Sequence, residues 1–156
     1  MTRFELTRLP VRIGGDRHPR WEVAAAYFDW DRGMLALLQL HAGWSWPLVR
    51  YGPGVEIEDR GLWVAKADLI RRDGRDECRR ARANDWADRP VVDATGQVLG
   101  LVRDVEFSCD TGEIDAVLIS RGVLADLWDG MWLADFRALV AHGDRISFGC
   151  GGHAPH

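Results

Sequence analysis

An approximate internal repeat constrains this chain more than any other feature of its sequence. Val23–Leu40 reads VAAAYFDWDRGMLALLQL and Val102–Ile119 reads VRDVEFSCDTGEIDAVLI, at an offset of 79 residues. Val23 meets Val102, Phe28 meets Phe107, Asp31 meets Asp110, Gly33 meets Gly112 and Leu35 meets Ile114. Further along the offset becomes 84, where Leu48-Val49 meets Trp132-Leu133 and Leu62–Val64 meets Ile146–Phe148. Two matches in the same order predict two copies of one small unit, the second carrying five extra residues.

Each copy has the pattern of a β-meander. Val98, Gly100 and Val102, and in alternation with them Leu99, Leu101, Arg103, Val105 and Phe107, predict one long strand with a mixed face. Ser108–Gly112 reads as a hairpin turn with Gly112 suited to positive φ, and Asp29–Gly33 as the same turn in the first copy. Met34–His41 and Ile114–Ser120 are the returning strands. Shorter strands are expected at Leu48–Tyr51, Gly54–Ile57 and Leu62–Ala65, and at Met131–Ala134 and Arg145–Phe148. Such short strands bend into small barrels that hide their edges. Between the copies runs RRDGRDECRRARANDWADRP, where Asp76–Trp86 lacks Gly and Pro. A short helix is expected there, with Gly74 opposing an earlier start and Asp76–Arg80 as an i,i+4 pair. The expectation is a mainly β chain: two small barrels at 1–70 and 89–149, a charged, partly helical connector at 71–88, and a flexible tail at 150–156.

Arg89–Ser120, RPVVDATGQVLGLVRDVEFSCDTGEIDAVLIS, resembles the PRC-barrel family, the β-barrel shared by the photosynthetic reaction-centre H subunit and the bacterial ribosome-maturation factor. The residues that carry the likeness are Val91-Val92, Gly96, Gly100-Leu101-Val102-Arg103-Asp104, Val105 before Phe107, and Thr111-Gly112. The first copy keeps Phe28, Asp31 and Gly33. It has Ala25 where the second has Asp104, Trp21 where the second has Gly100, and Arg17-His18-Pro19-Arg20 at the Gly96 turn. Taken with the repeat, the chain resembles a tandem PRC-barrel protein. The resemblance implies structural parts for Gly33, Gly96, Gly100, Asp104, Phe107 and Gly112, with Asp104 bracing a nearby turn. It also implies a non-catalytic adaptor that works inside a larger assembly. The sequence shows neither the membrane helix of the reaction-centre subunit nor the RNA-associated domain of the maturation factor, so neither specific role is expected here.

Composition narrows the classes further. With 156 residues, 47% hydrophobic and 28% charged, the chain falls among globular proteins. Wholly apolar runs such as Met34–Leu38 and Val23–Phe28 do not exceed six residues, far short of the roughly 20 a bilayer requires. MTRFELTRLP has no apolar signal-peptide core, so a cytoplasmic protein is expected. Three cysteines without a CxxC unit argue against a disulfide framework. A net charge of −4 gives no global attraction for nucleic acid.

No nucleophile elbow, Walker loop or HExxH motif is present, so no enzyme and no cofactor are expected. Cys150, His153 and His156 are weak candidate metal ligands in a Gly-rich tail. Asp29/Asp31 and Asp126/Asp129 fall where turns are expected, and Asp is common there because it bonds local amides. Arg72, Arg75, Arg79, Arg80 and Arg82 could meet RNA or an acidic partner, but acidic residues interrupt them and no aromatic platform accompanies them. The eight tryptophans are the better lead. Trp30 and Trp63 are expected in burial, and Trp44, Trp46, Trp128 and Trp132 in loops that bind a protein partner. A non-catalytic adaptor docking onto a protein assembly is therefore the expected function, with a ribosome- or RNA-associated factor using Arg71–Arg82 as the alternative. The partner's identity and self-association into a homodimer stay open.

Overall fold

Apolar alternation along Trp21–Asp29 and Met34–His41 gives two long antiparallel strands joined at Gly33, whose φ of 65° explains the glycine. This is a computed structural model, and it describes residues 1–58, 60–65, 69–70, 74–122 and 130–149, without the side chains of 69, 70, 74, 75 and 77. Contacts divide the chain into two units. The first is Met1–Asp85 together with Phe107–Glu113; the second is Trp86–Glu106 together with Ile114–His156. The first unit thus includes the turn of a hairpin whose strands belong mostly to the second.

The first unit runs α1 (Arg3–Leu6), β1 (Pro10–Ile13), β2 (Trp21–Asp29), β3 (Met34–His41), β4 (Leu48–Arg50), β5 (Val55–Glu58), β6 (Gly61–Val64), β7 (Leu69–Ile70) and α2 (Gly74–Ala83). Its sheet has the order β5-β6-β1-β2-β3-β4-β7, with β1 and β6 parallel. Leu6, Val23, Leu38, Leu40, Val49 and Val64 form its core. Thr2 and Glu5 form a reciprocal capping box on α1, each side chain accepting from the other's backbone N–H.

The second unit runs β8 (Pro90–Val92), β9 (Val98–Phe107, its last residue in the first unit), β10 (Ile114–Ser120), β11 (Trp132–Asp135), a 3-10 turn (Phe136–Ala138), β12 (Leu139–His142) and β13 (Arg145–Phe148). The order is β11-β10-β9-β8-β13-β12, again with one parallel pair, β8 and β13. Val91, Val102, Val105, Val117, Ile119 and Ile146 are its buried aliphatics.

Read from β5 and from β12, six consecutive strands follow the same order in both sheets. Register agrees in detail: Val11 lies opposite Leu62 as Val91 lies opposite Ile146, and Val55 opposite Val64 as Leu139 opposite Phe148. The backbone shares one further device. Arg8 (φ 79°) and Asp88 (φ 61°) are the two non-glycine residues of positive φ among the described residues. Arg8 N–H donates to Val23 O at 2.7 Å, and Asp88 N–H to Val102 O at 2.9 Å. The same left-handed kink therefore introduces β1 and β8, although Arg and Asp share no side-chain chemistry.

Three sequence expectations need correction. β4 and β11 correspond one residue further on than the sequence match places them, because Leu38 pairs with Val49 while Val117 pairs with Ala134. Val49 and Ala134 are both buried and Leu133 is exposed; in a strand, a one-residue slip exchanges the faces. The connector helix spans Gly74–Ala83 rather than Asp76–Trp86. Glycine's helix penalty applies to helix interiors, and beyond Ala83 Asp85 turns to Arg3 while Trp86 is buried. Finally, the Asp76 carboxylate pairs with Arg79 at 2.9 Å, three residues away, and Arg80 Nε reaches only the Asp76 carbonyl at 3.4 Å. Among the described residues no helix is long and apolar enough to cross a membrane.

Candidate interaction surfaces

The β3–β4 connection is a tight turn. Ala42 and Ser45 exchange two backbone hydrogen bonds, at 3.1 and 3.0 Å, across Gly43 and Trp44. Gly43 takes a φ of 56°, a conformation that favours glycine. The turn leaves Trp44 fully exposed, while Trp46 is 54% exposed and tilts against His41 with ring centroids 4.2 Å apart. The His41 ring is itself held at 3.0 Å from the Gly43 carbonyl. Two large indoles therefore stand on a hydrogen-bonded turn, as the sequence predicts for Trp44 and Trp46. Trp132 is placed differently: it is half-buried and stacks on Phe148 at 5.4 Å. Its neighbours Met131 and Leu133 are about half exposed.

Helix α2 meets β2 through one polar cluster. Arg82 Nε donates to the Tyr27 hydroxyl at 3.0 Å, and the guanidinium lies 5.7 Å from the ring centroid. Tyr27 donates in turn to Gln39 at 3.1 Å. Arg82 is thus engaged within the unit although, like Arg79 and Arg80, it is exposed. Arg72, Trp128, Cys150, His153 and His156 lie outside the described residues, as do the Asp126/Asp129 pair and the side chain of Arg75. Among the described residues, no three His, Cys, Asp or Glu side chains gather as a metal site.

Burial pushes the Tyr27 phenol above its ordinary value, with the Arg82 hydrogen bond opposing the shift. Tyr51 is also raised, first by burial and then by Cys109 and Asp110. These are the chain's two tyrosines. Titrating the phenolate absorbance with base should therefore show both midpoints above about 10. A phenol whose folded pKa is raised contributes stability below its unfolded pKa and loses it as pH rises through the folded one. Stability should accordingly decline on the alkaline side of about pH 10. A tyrosine titrating at the free value in native protein would contradict both placements.

The glycines and acids expected to shape the barrels occupy turns and close approaches. Gly96 (φ 86°) and Gly112 (φ 74°) are left-handed, and a Cβ on Gly112 would meet the Tyr51 ring, with Cδ1 at 2.9 Å. Asp104 accepts from the amide of Val105 at 2.8 Å. Asp29 accepts from the Arg32 N–H at 3.1 Å, the turn-stabilising role expected of it. The Phe107 ring is buried edge-on against Phe28 at 5.5 Å.

Residues 79–146 match the family model of the PRC-barrel domain. This part of the chain is similar to a PRC-barrel domain. The match begins in α2 and ends in β13, and it contains Gly96, Gly100, Asp104, Phe107 and Gly112. No curated protein sequence matches the chain significantly. The PRC-barrel thus supplies a fold with a general tie to interaction and assembly, and the exposed side chains must supply the specifics.

Sequence reasoning missed one arrangement. Arg32 in the β2–β3 turn, Arg50 at the end of β4 and Arg80 on α2 line a single cleft of about 480 Å³ in the first unit. They stand 18 and 30 residues apart in sequence, so no local pattern announces them.

Proposed function

We propose that the chain is a non-catalytic, cytoplasmic interaction module: a tandem PRC-barrel protein, its first unit a divergent copy of the second, docking onto a protein assembly. The observation that carries this reading is the Ala42–Ser45 turn, which presents Trp44 wholly to solvent with its backbone fixed by two hydrogen bonds. An indole held out in this way is an interface anchor, because it buries much apolar area while few rotamers need be frozen. The six strands of common order in the two sheets support the tandem reading. The RNA-associated alternative draws less support, since Arg82 is committed to Tyr27 and Arg79 to Asp76.

Trp44→Ala should leave unfolding free energy within about 0.5 kcal/mol of wild type, as surface changes do. It should also abolish retention of protein partners by the tagged chain in its native extract, with nuclease present. Retention that disappears with nuclease in the wild type would transfer the reading to RNA. Unfolding of the variant would return Trp44 to a structural role.

A further inference from the structure

We propose that the outer edge of β5 and the groove beside it take up an extended, basic segment of a partner protein as an added strand. The site is separate from the Trp44 turn and does not rest on it. β5 (Val55–Glu58) is the outermost strand of the first sheet and pairs on one side only, with β6. Ala65 N–H donates to Gly54 O at 2.8 Å, and from there bonding alternates along the antiparallel ladder. Glu56 and Glu58 therefore bond to β6, while the peptide groups of Val55 and Ile57 turn outward. Val55 N–H is taken by Gly52 O at 2.9 Å, which leaves the Val55 carbonyl and both polar groups of Ile57 on the open edge. β5 shares the lining of a groove of about 480 Å³ with Met34, Tyr51, Cys109, Asp110 and Thr111, all of the first unit. That is the size of a site for a ligand rather than a single ion. The groove is braced in advance: the Tyr51 hydroxyl donates to Cys109 O at 2.8 Å, and Leu35 N–H to Gly112 O at 2.7 Å. Little ordering is then left for binding to supply.

Alternation along β5 selects the occupant. Val55 is buried and Ile57 half-buried, whereas Glu56 and Glu58 are exposed. An added strand lays its side chains beside these on the same two faces. It therefore needs cations next to the glutamates and apolar residues next to Val55 and Ile57. Asp110 brings a further exposed carboxylate to the lining, and among the described lining residues there is no cation. Neither Glu56 nor Asp110 is ion-paired to a described residue. The same charges disfavour other occupants. A second copy pairing edge to edge would set glutamates against glutamates, and nucleic acid would bring phosphates to carboxylates.

The test is fluorescence anisotropy with the full chain and a labelled peptide of alternating lysine and valine, at physiological salt. A glutamate–valine peptide of equal length is the comparison. The lysine peptide should bind and the glutamate peptide should not. Glu56→Lys and Asp110→Lys should each weaken binding about fivefold, the scale of turning a cross-strand attraction into repulsion. Glu22→Lys, an equal charge change at an exposed residue of β2 outside the groove, should stay within about twofold, because salt screens exposed charges. Backbone pairing has its own signature. N-methylation of every valine removes the amides that would bond to Ile57 in an antiparallel strand, and N-methylation of every lysine removes those of a parallel one. One methylated peptide should therefore bind at least about tenfold more weakly than the other. Circular dichroism checks folding, and Glu56→Gln or Asp110→Asn replaces any reversal that unfolds. No binding overturns the proposal, and self-association of the chain in sedimentation would then assign the edge to a second copy. Equal binding of the glutamate peptide, equal affinity of the two methylated peptides, or affinity unchanged when Glu56→Lys and Asp110→Lys are combined overturns it as well.

Discussion

Phe107→Ala should lower the unfolding free energy by about 3–5 kcal/mol, the range for emptying a buried aromatic site. Phe107 is 1% exposed, and its ring meets Phe28, which lies beneath the Arg3 guanidinium at 5.5 Å and beside Trp30 at 6.0 Å. The backbone is pinned as well. Phe107 N–H donates to Met1 O at 2.9 Å, and the Met1 amino group donates to Phe107 O at 3.2 Å. These bonds keep the chain from closing over the hole, so most of the cavity should persist. Chemical denaturation measures the loss, and hydrogen exchange locates it. Protection should fall first along β2 around Phe28, in the first unit, although Phe107 ends a strand of the PRC-barrel. Phe107→Leu should cost less than half as much. A loss below about 1 kcal/mol for the alanine variant would mean that the ring does not fill this core.

Gly100→Val should be at least as damaging, about 3 kcal/mol or more, by overpacking rather than by a void. A Cβ on Gly100 would sit 2.5 Å from the Ser120 carbonyl oxygen and 2.7 Å from Ile119 Cγ2. The first of these is backbone of the neighbouring strand and cannot rotate away. Relief would require β9 and β10 to part, which breaks ladder hydrogen bonds in the middle of the second sheet. Gly100→Ala shares the clash without the branched methyls and should fall between the valine variant and wild type. Gly15→Ala is the contrast, with nothing within 4 Å of the added carbon, and should be close to neutral. Thermal unfolding of the three variants beside wild type decides the matter. Equal melting of Gly100→Ala and Gly15→Ala would refute the close approach.

Much of this architecture could be read in the residues. Period-two alternation located the long hairpins, and the Gly33 and Gly112 turns followed from their acidic, Thr- and Gly-bearing sequences. What escaped had no side-chain signal. Arg8 and Asp88 share a backbone conformation that two unrelated side chains conceal. Strand β12 is four residues with only Leu139 buried, too short for a period to emerge. Strand β1 starts at a proline, which reads more readily as a break. The opening T-R-F-E did carry a legible capping box. Of the candidate surfaces, the Trp44–Trp46 turn was visible because Gly and Pro flank two indoles. The arginine cleft was invisible because tertiary folding alone brings its three cations together.

The placement of Phe107–Glu113 in the first unit also sets a timetable. On the ribosome, the N-terminal 85 residues emerge before the ring that completes their core has been made. Another 28 residues, from 85 to 113, must be added, about 1–6 s at ordinary synthesis rates. During that interval Phe28 and its neighbours await their partner as exposed apolar surface. The half of the protein that is born first is thus obliged to mature late, and nascent chains stalled short of Phe107 are the ones expected to attract chaperones or to aggregate.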